Sequence, residues 1–478
     1  MTAPRVTRPF RSARFAGVFT SSFSGDLAAA STSVAVPLLI VGPLGADDGV
    51  VGLAVAADDI GWLIVGPVAG VLIDRRGFRR LLLTSEAVRF AAFAAIVSLA
   101  FAGVLHPAVL IGLLVAVSIA SVFFLVGSPS LLASGIDPDD LTTANSALTW
   151  SQSVAMILGP PLAGALIGVA NPAAALLVTV LGYLVSFVLL AAALHRWDEP
   201  QQGRNDRVTA VSDTRDGDSD TRDGDSDPRD GDSDTREDDS DLRAKHRDPR
   251  QGTQEGTEDE RPRRRLAAGL IADVLTGWRY LLSRTDVMRM VASGAQFNLA
   301  LSMQQAVIVV YLLSLPGFTA SLIGVALGAA GFGGVCAAMA ADPIARRFGE
   351  GRVVFWCVLG GTGLGLLIPL TASVPGIVFL ILGYFGLSVA TVVFSAVTGA
   401  YRQRTIPVGL LGRVTAASRL ISWGIAPFGA LGGGAIAALA GPWWGLAASA
   451  LIFVGSAGWL WGIKWQISDS GAYPEIPD

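Results

Sequence analysis

Twelve apolar stretches recur along this 478-residue chain, at approximately 14–42, 50–73, 82–104, 107–130, 145–169, 172–194, 287–313, 319–344, 353–371, 375–399, 413–439 and 442–463. Each is long enough to cross roughly 30 Å of hydrocarbon as a helix. A lipid-exposed segment must satisfy its own backbone hydrogen bonds, which a helix does and an isolated strand does not. Six stretches precede a polar segment and six follow it. The predicted fold class is therefore an all-α integral membrane protein, with twelve transmembrane helices in two six-helix halves. The expected layout is an N-terminal half over 1–195, a cytoplasmic linker over 196–266, an interfacial amphipathic helix over 267–286, a C-terminal half over 287–465 and a tail over 466–478.

Charge is scarce and unevenly placed. Only 15% of residues are charged, against roughly 25% in soluble proteins. Residues 201–265 hold 20 of the 39 acidic and 14 of the 35 basic residues. The acidic balance thus belongs to the linker and says nothing about a nucleic-acid partner, which is not expected. Four tandem heptads fill Asp213–Ser240: DTRDGDS, DTRDGDS, DPRDGDS and DTREDDS. No apolar residue recurs in them, so a solvated, disordered linker is expected instead of a coiled coil.

Arginines set the expected orientation through the positive-inside rule. Arg5, Arg8, Arg11 and Arg14 precede the first stretch, and Arg75, Arg76, Arg79 and Arg80 follow the second. Arg346, Arg347 and Arg352 follow the eighth; Arg402, Arg404 and Arg413 follow the tenth. The opposite connections hold Asp47, Asp48 and His106 but no Lys or Arg. Both termini are predicted to be cytoplasmic, in a multi-pass protein of the inner (plasma) membrane.

The end of the second stretch reads GVLIDRRGFRRLLL, residues 70–83. Here the chain resembles the major facilitator superfamily, whose hallmark at this place is G-x-L-a-D-R-x-G-R-[RK]. Gly70, Leu72, Asp74, Arg75, Gly77 and Arg79 match, and Phe78 departs. The resemblance implies a gating role for Gly70, Asp74, Arg75, Gly77 and Arg79. Gly70 would allow close helix approach, Gly77 a tight turn, and Asp74 would meet the positive end of the eleventh helix near Arg413. In the second half, ARRFGEGRVV echoes this motif after the eighth stretch, with Ala345 expected in the place of Asp74.

The fifth stretch contains GPPLAG. It resembles the antiporter signature G-P-x-x-G-G of exporters in the same superfamily, with Ala163 replacing one glycine. Gly159, Pro160 and Gly164 are expected to kink this helix and pack it closely. Residues 137–164 and 401–434 look like the branch holding macrolide efflux proteins and the enterobactin exporter. Many drug exporters carry an arginine in span four; residues 107–130 hold none. Glu86 and Arg89, at the base of the third stretch, are taken in its stead as a charge relay beside Asp74.

Ionisable groups inside a membrane are expensive and mark function. Asp26 sits roughly 18 Å above the arginine-bearing boundary, and Asp58 and Asp59 roughly 23 Å above it, by helix rise. At about 100° per residue, Asp59 falls within about 20° of Gly70 and shares its small-residue face, whereas Asp58 points toward the outer surface. Asp26 and Asp59 are the proton-coupling candidates. Gln152, Gln296, Asn298, Gln304 and Tyr384 are expected to line a substrate cavity.

These residues point to a secondary transporter that exports a hydrophobic drug, antibiotic or siderophore-like metabolite against protons, by alternating access. The alternative is an importer or facilitator of a small polar solute. The three histidines, His106, His195 and His246, are scattered, and Cys336 and Cys357 form no metal pattern, so neither an enzyme nor a cofactor or metal site is expected. The expected partners are a small-molecule substrate, protons and membrane lipids, with the chain acting as a monomer.

Overall fold

The computed structural model describes residues 13–135, 140–195, 276–373 and 376–463. The heptad linker, residues 267–275, the tail after 463 and the side chains of Asp74 and Arg75 lie outside the described residues. Among those described, every long element is a helix.

The N-terminal half comprises Ala13–Val41, a second span in two pieces (Asp48–Asp59 and Gly61–Arg76), Phe78–Phe101, Pro107–Gly135, Leu141–Val169 and Pro172–His195. The C-terminal half comprises Thr285–Leu313, Ala320–Phe348, Glu350–Gly365 with the 3-10 turn Ile368–Ala372, Gly376–Thr405, an eleventh span in two pieces (Val408–Gly424 and Ala426–Ala440), and Pro442–Gly458. Among the described residues, eleven spans are long and apolar enough to cross a membrane. The twelfth, Pro442–Gly458, has 17 residues, or about 25 Å of helix. Ahead of the seventh span, residues 276–283 are helical. Leu281 from this piece packs with Val287, Ile406 and Val414.

The two halves repeat one another down to their turns. Gly77 closes the second span with φ +79° and its N–H on the Ile73 carbonyl at 3.0 Å. Gly349 closes the eighth with φ +86° and its N–H on the Ala345 carbonyl at 2.9 Å. Both conformations are costly for any residue with a Cβ. Matching the turns puts Ala345 opposite Ile73 and Arg346 opposite Asp74. That corrects the expected pairing of Ala345 with Asp74 by one residue, because the second half spends an extra residue, Phe348, before its turn glycine.

The halves pack together toward one end. One apolar cluster mixes them, joining Val34, Leu38, Ala56 and Ala163 to Ala306, Ile323, Ala326 and Ala437. Val310 of the C-terminal half also enters the main N-terminal cluster. All of these lie toward the connections at 42–47 and 441. Four clusters toward the arginine-bearing end stay within one half each. Glycine makes the closed end possible. A Cβ on Gly52 would stand 2.7 Å from the Gly434 Cα, and one on Gly324 would stand 2.3 Å from the Pro160 carbonyl oxygen. At the arginine-bearing end, a Cβ on Gly70 or Gly412 would meet nothing within 4 Å. Among the described residues, the close approach expected at Gly70 is therefore absent in this conformation.

Gly434→Leu should disfavour this closed end by roughly 1–3 kcal/mol, the usual cost of forcing volume into a packed seam. Spin labels at His106 and Pro316, on either side of that end, should then move apart; an unchanged distance would contradict the steric account.

Candidate functional site

A charged cluster is buried inside the N-terminal half. Glu86 and Arg89 occupy one face of the third span, with Arg89 Nη2 donating to Glu86 Oε1 at 2.6 Å. Their side chains are 0% and 7% exposed. The Arg89 guanidinium lies 4.4 Å from the Phe124 ring centroid and 5.1 Å from that of Tyr183, so ring faces supply attraction that water would otherwise provide. Glu86 Oε2 and Arg89 Nε are buried without a hydrogen-bond partner. Such orphaned atoms are rare enough in proteins to call for a reason.

Asp26 lies on the first span directly after Gly25, where that span packs beside the pair. Small residues permit that approach. A Cβ on Gly25 would lie 3.3 Å from Ser186 Oγ and 3.8 Å from Glu86 Oε1. The sixth span is stitched to the first beside it, through Ser21 and Ser186 hydroxyls 3.0 Å apart and Ser24 Oγ donating to the Gly182 carbonyl at 2.8 Å. Asp26, Glu86 and Arg89, from two different stretches of sequence, thus form one group. Phe124, Tyr183 and Ser186 complete it without having been singled out; a tyrosine in the middle of an apolar stretch was the available signal.

Asp59 belongs to a different place. The second span breaks at Ile60, directly after it. Ser118 of the fourth span clips the break, accepting from the Gly61 N–H at 2.9 Å and donating to the Asp58 carbonyl. A Cβ on Gly61 would come 2.6 Å from the Ser118 backbone, so only glycine fits there. At the end of this piece, Asp59 accepts a hydrogen bond from Ser302 on the seventh span, across the seam between halves. The Asp58 side chain is exposed. The helix-phase count that singled out Asp59 assumed an unbroken helix from 59 to 70. Asp59 meets protein, through Ser302.

The eleventh span breaks at Ile425 in the matching place, with Pro427 in the first turn of the piece that follows. The two breaks abut: the Trp62 and Trp423 rings lie 5.8 Å apart, and a Cβ on Gly424 would stand 3.5 Å from Leu63. Asn298 of the seventh span donates to the Ser422 carbonyl at 2.8 Å, just before the break. On one side of these breaks the halves are packed; on the other, Gly70 and Gly412 face open space. The geometry is that of two jaws meeting at a fulcrum.

A family model that spans most of the chain decides what this architecture is. The Major Facilitator Superfamily model matches residues 18–431. The chain belongs to the Major Facilitator Superfamily. Solved transporter structures of the same fold cover nearly all of it. A mutant form of the nucleoside transporter NupG matches with a TM-score of 0.64 and 11% identity over 94% of this chain and 98% of that one. The xylose transporter XylE from E. coli, in an inward open conformation, gives 0.61 and 14% over 95% and 96%. A bacterial homologue of the iron transporter ferroportin, in an inward-facing state, gives 0.60 and 18% over 96% and 100%. At such identities the likeness concerns the fold alone. No curated protein matches the sequence.

The remaining candidates of this superfamily member divide in two. Gly159 packs on the first span, where a Cβ would meet Ala30 Cβ at 2.5 Å; Gly164 packs on the eighth, where one would meet the Ala320 carbonyl at 2.4 Å. With the Pro160 carbonyl against Gly324, GPPLAG joins its own half to the other. Arg79 sits half-buried next to the Gly77 turn. Gln296 is held by its own half. Its amide donates to the Ile452 carbonyl at 2.8 Å and accepts from Trp459 Nε1 at 2.6 Å, both within the C-terminal half, so its polarity is consumed there. Gln304 is 2% exposed, with Oε1 unpartnered, and Tyr384 packs among the apolar residues of the shared cluster. Gln152 is exposed on the part of the fifth span nearer the arginine-bearing end. Among the described residues, no group of three or more His, Cys, Asp or Glu side chains could hold a metal.

Proposed function

We propose that this transporter exports a hydrophobic drug, antibiotic or siderophore-like metabolite from the cytoplasm in exchange for protons. The observation that carries this reading is the buried Glu86–Arg89 pair, packed beside the first span at Gly25, the residue before Asp26. Three ionisable groups inside one half are costly in a membrane and take on meaning as a proton site. Asp26 takes up and releases the proton, and Arg89 tunes it while Glu86 holds Arg89.

With the arginine-bearing end in the cytoplasm of a cell bounded by its inner (plasma) membrane, the open side faces inward. Substrate then enters between the parted halves below the breaks at Ile60 and Ile425. Closure would bring the second and eleventh spans together at Gly70 and Gly412, where the Asp74 motif closes the cytoplasmic mouth. It would also part the Gly52–Gly434 and Gly164–Ala320 seams and release Ser302 from Asp59, which makes Asp59 a second place where a proton affects the switch. A proton gradient is a sufficient drive, at about 2.3 kcal/mol per charge per 100 mV plus roughly 1.4 kcal/mol per pH unit.

The test is efflux and susceptibility across macrolides, tetracyclines, siderophores and cationic dyes in a host expressing the chain, with and without an uncoupler. At least one compound should accumulate less in expressing cells, and the uncoupler should abolish the difference. Energy-dependent uptake of a small polar solute, with none of these compounds expelled, would favour the importer reading.

A further inference from the structure

Two cavities lie end to end between the ninth and twelfth spans, lined wholly by the C-terminal half. The first, of about 750 Å³, opens beside the Gly349 turn and takes in Arg352, Phe355, Trp356 and Trp461. The second, of about 410 Å³, shares Phe355 and Trp461 and continues over Gly458. Phe355 sets its edge against both tryptophans, at 5.2 and 5.3 Å between ring centroids. The aromatic group therefore stands where a charged mouth passes into an apolar groove.

The mouth is positive. Arg352 is exposed on it, and the Glu350 carboxylate is held by Arg404 through two hydrogen bonds of 2.6 and 2.7 Å. The groove beyond has room for a chain, because a Cβ on Gly458 would meet nothing within 4 Å. Trp356 and Trp461 are 64% and 71% exposed, at the level where the ninth span begins, as suits indoles at a membrane–water interface. A positive mouth at the interface, an aromatic collar and an apolar slot running into the membrane match one kind of molecule in both charge and shape.

We infer that this groove holds an anionic phospholipid of the surrounding bilayer, its phosphate at Arg352 and one acyl chain along the Gly458 floor. The site is independent of proton coupling and of the direction of transport. Basic pockets at helix ends attract anionic headgroups in this way.

The test is native mass spectrometry of the full chain in detergent, with dioleoyl-phosphatidylglycerol or dioleoyl-phosphatidylcholine added. The wild type should retain the anionic lipid about fivefold more than the zwitterionic one, the weight of one arginine near the surface. Arg352→Gln, a surface change that leaves the fold alone, should erase the preference. Gly458→Leu should lower retention of both lipids by filling the slot, with helical content by circular dichroism unchanged. Equal retention of the two lipids by the wild type, or an undiminished preference in Arg352→Gln, would overturn the inference. So would lipid binding that emerges only after residues 467–478 are deleted, because the tail would then be the occupant.

Discussion

Asp26→Asn is expected to abolish accumulation driven by a proton gradient while leaving the protein folded and able to exchange substrate downhill. The asparagine keeps the shape of the side chain and removes its proton site. One proton carried down 100 mV and one pH unit supplies about 3.7 kcal/mol, enough for a substrate ratio of roughly 500-fold. In proteoliposomes, the variant should bring that ratio to one for whichever compound the efflux screen identifies. The reason lies in the surroundings of Asp26: the buried Glu86–Arg89 pair packs beside the first span at Gly25, the residue before it. Full gradient-driven accumulation by the variant would remove Asp26 from the coupling site.

Arg89→Leu is expected to be the most destabilising single change in the N-terminal half. It strands the Glu86 carboxylate, which is 0% exposed and already has one oxygen without a partner. Leaving a buried charge unpaired costs roughly 3–5 kcal/mol. The cost should be largely recovered in Glu86→Gln/Arg89→Leu, because replacing a whole buried pair is often near neutral. Chemical unfolding in detergent of the two single variants and the double variant measures this. If the double variant is as unstable as Arg89→Leu, the loss comes from the packing of Arg89 on Phe124 and Tyr183, and the charge argument fails.

Much of the architecture can be read from apolar length alone. The twelve stretches, the 6+6 division and the turn at Gly77 follow from hydrophobicity and from one glycine that must take positive φ. The packing role of GPPLAG follows from its small residues. What local pattern could not reveal was decided by contacts distant in sequence. The break at Ile60 depends on Ser118, 57 residues beyond Gly61, which satisfies the Gly61 N–H. Nothing near Asp59 announces that hydroxyl. Pro427 was a visible signal for the matching break in the eleventh span. Gln296 read as a cavity residue because an amide in an apolar stretch needs partners; only the fold shows that Ile452 and Trp459 provide them. Glu86 and Arg89 were legible as two charges in one apolar stretch, whereas their pairing and its roof of Phe124 and Tyr183 were not.

The central claim is that a proton on Asp26 governs which end of the bundle is open. It is tested by double electron–electron resonance in a background lacking Cys336 and Cys357. One label pair sits at Arg80 and Arg347, across the arginine-bearing end, and the other at His106 and Pro316, across the end now closed. In the wild type, changing pH should shorten one distance as it lengthens the other, and Asp26→Asn should hold a single pair of distances at every pH. An Asp26→Asn protein whose two distances still exchange with pH as the wild type's do would contradict the account.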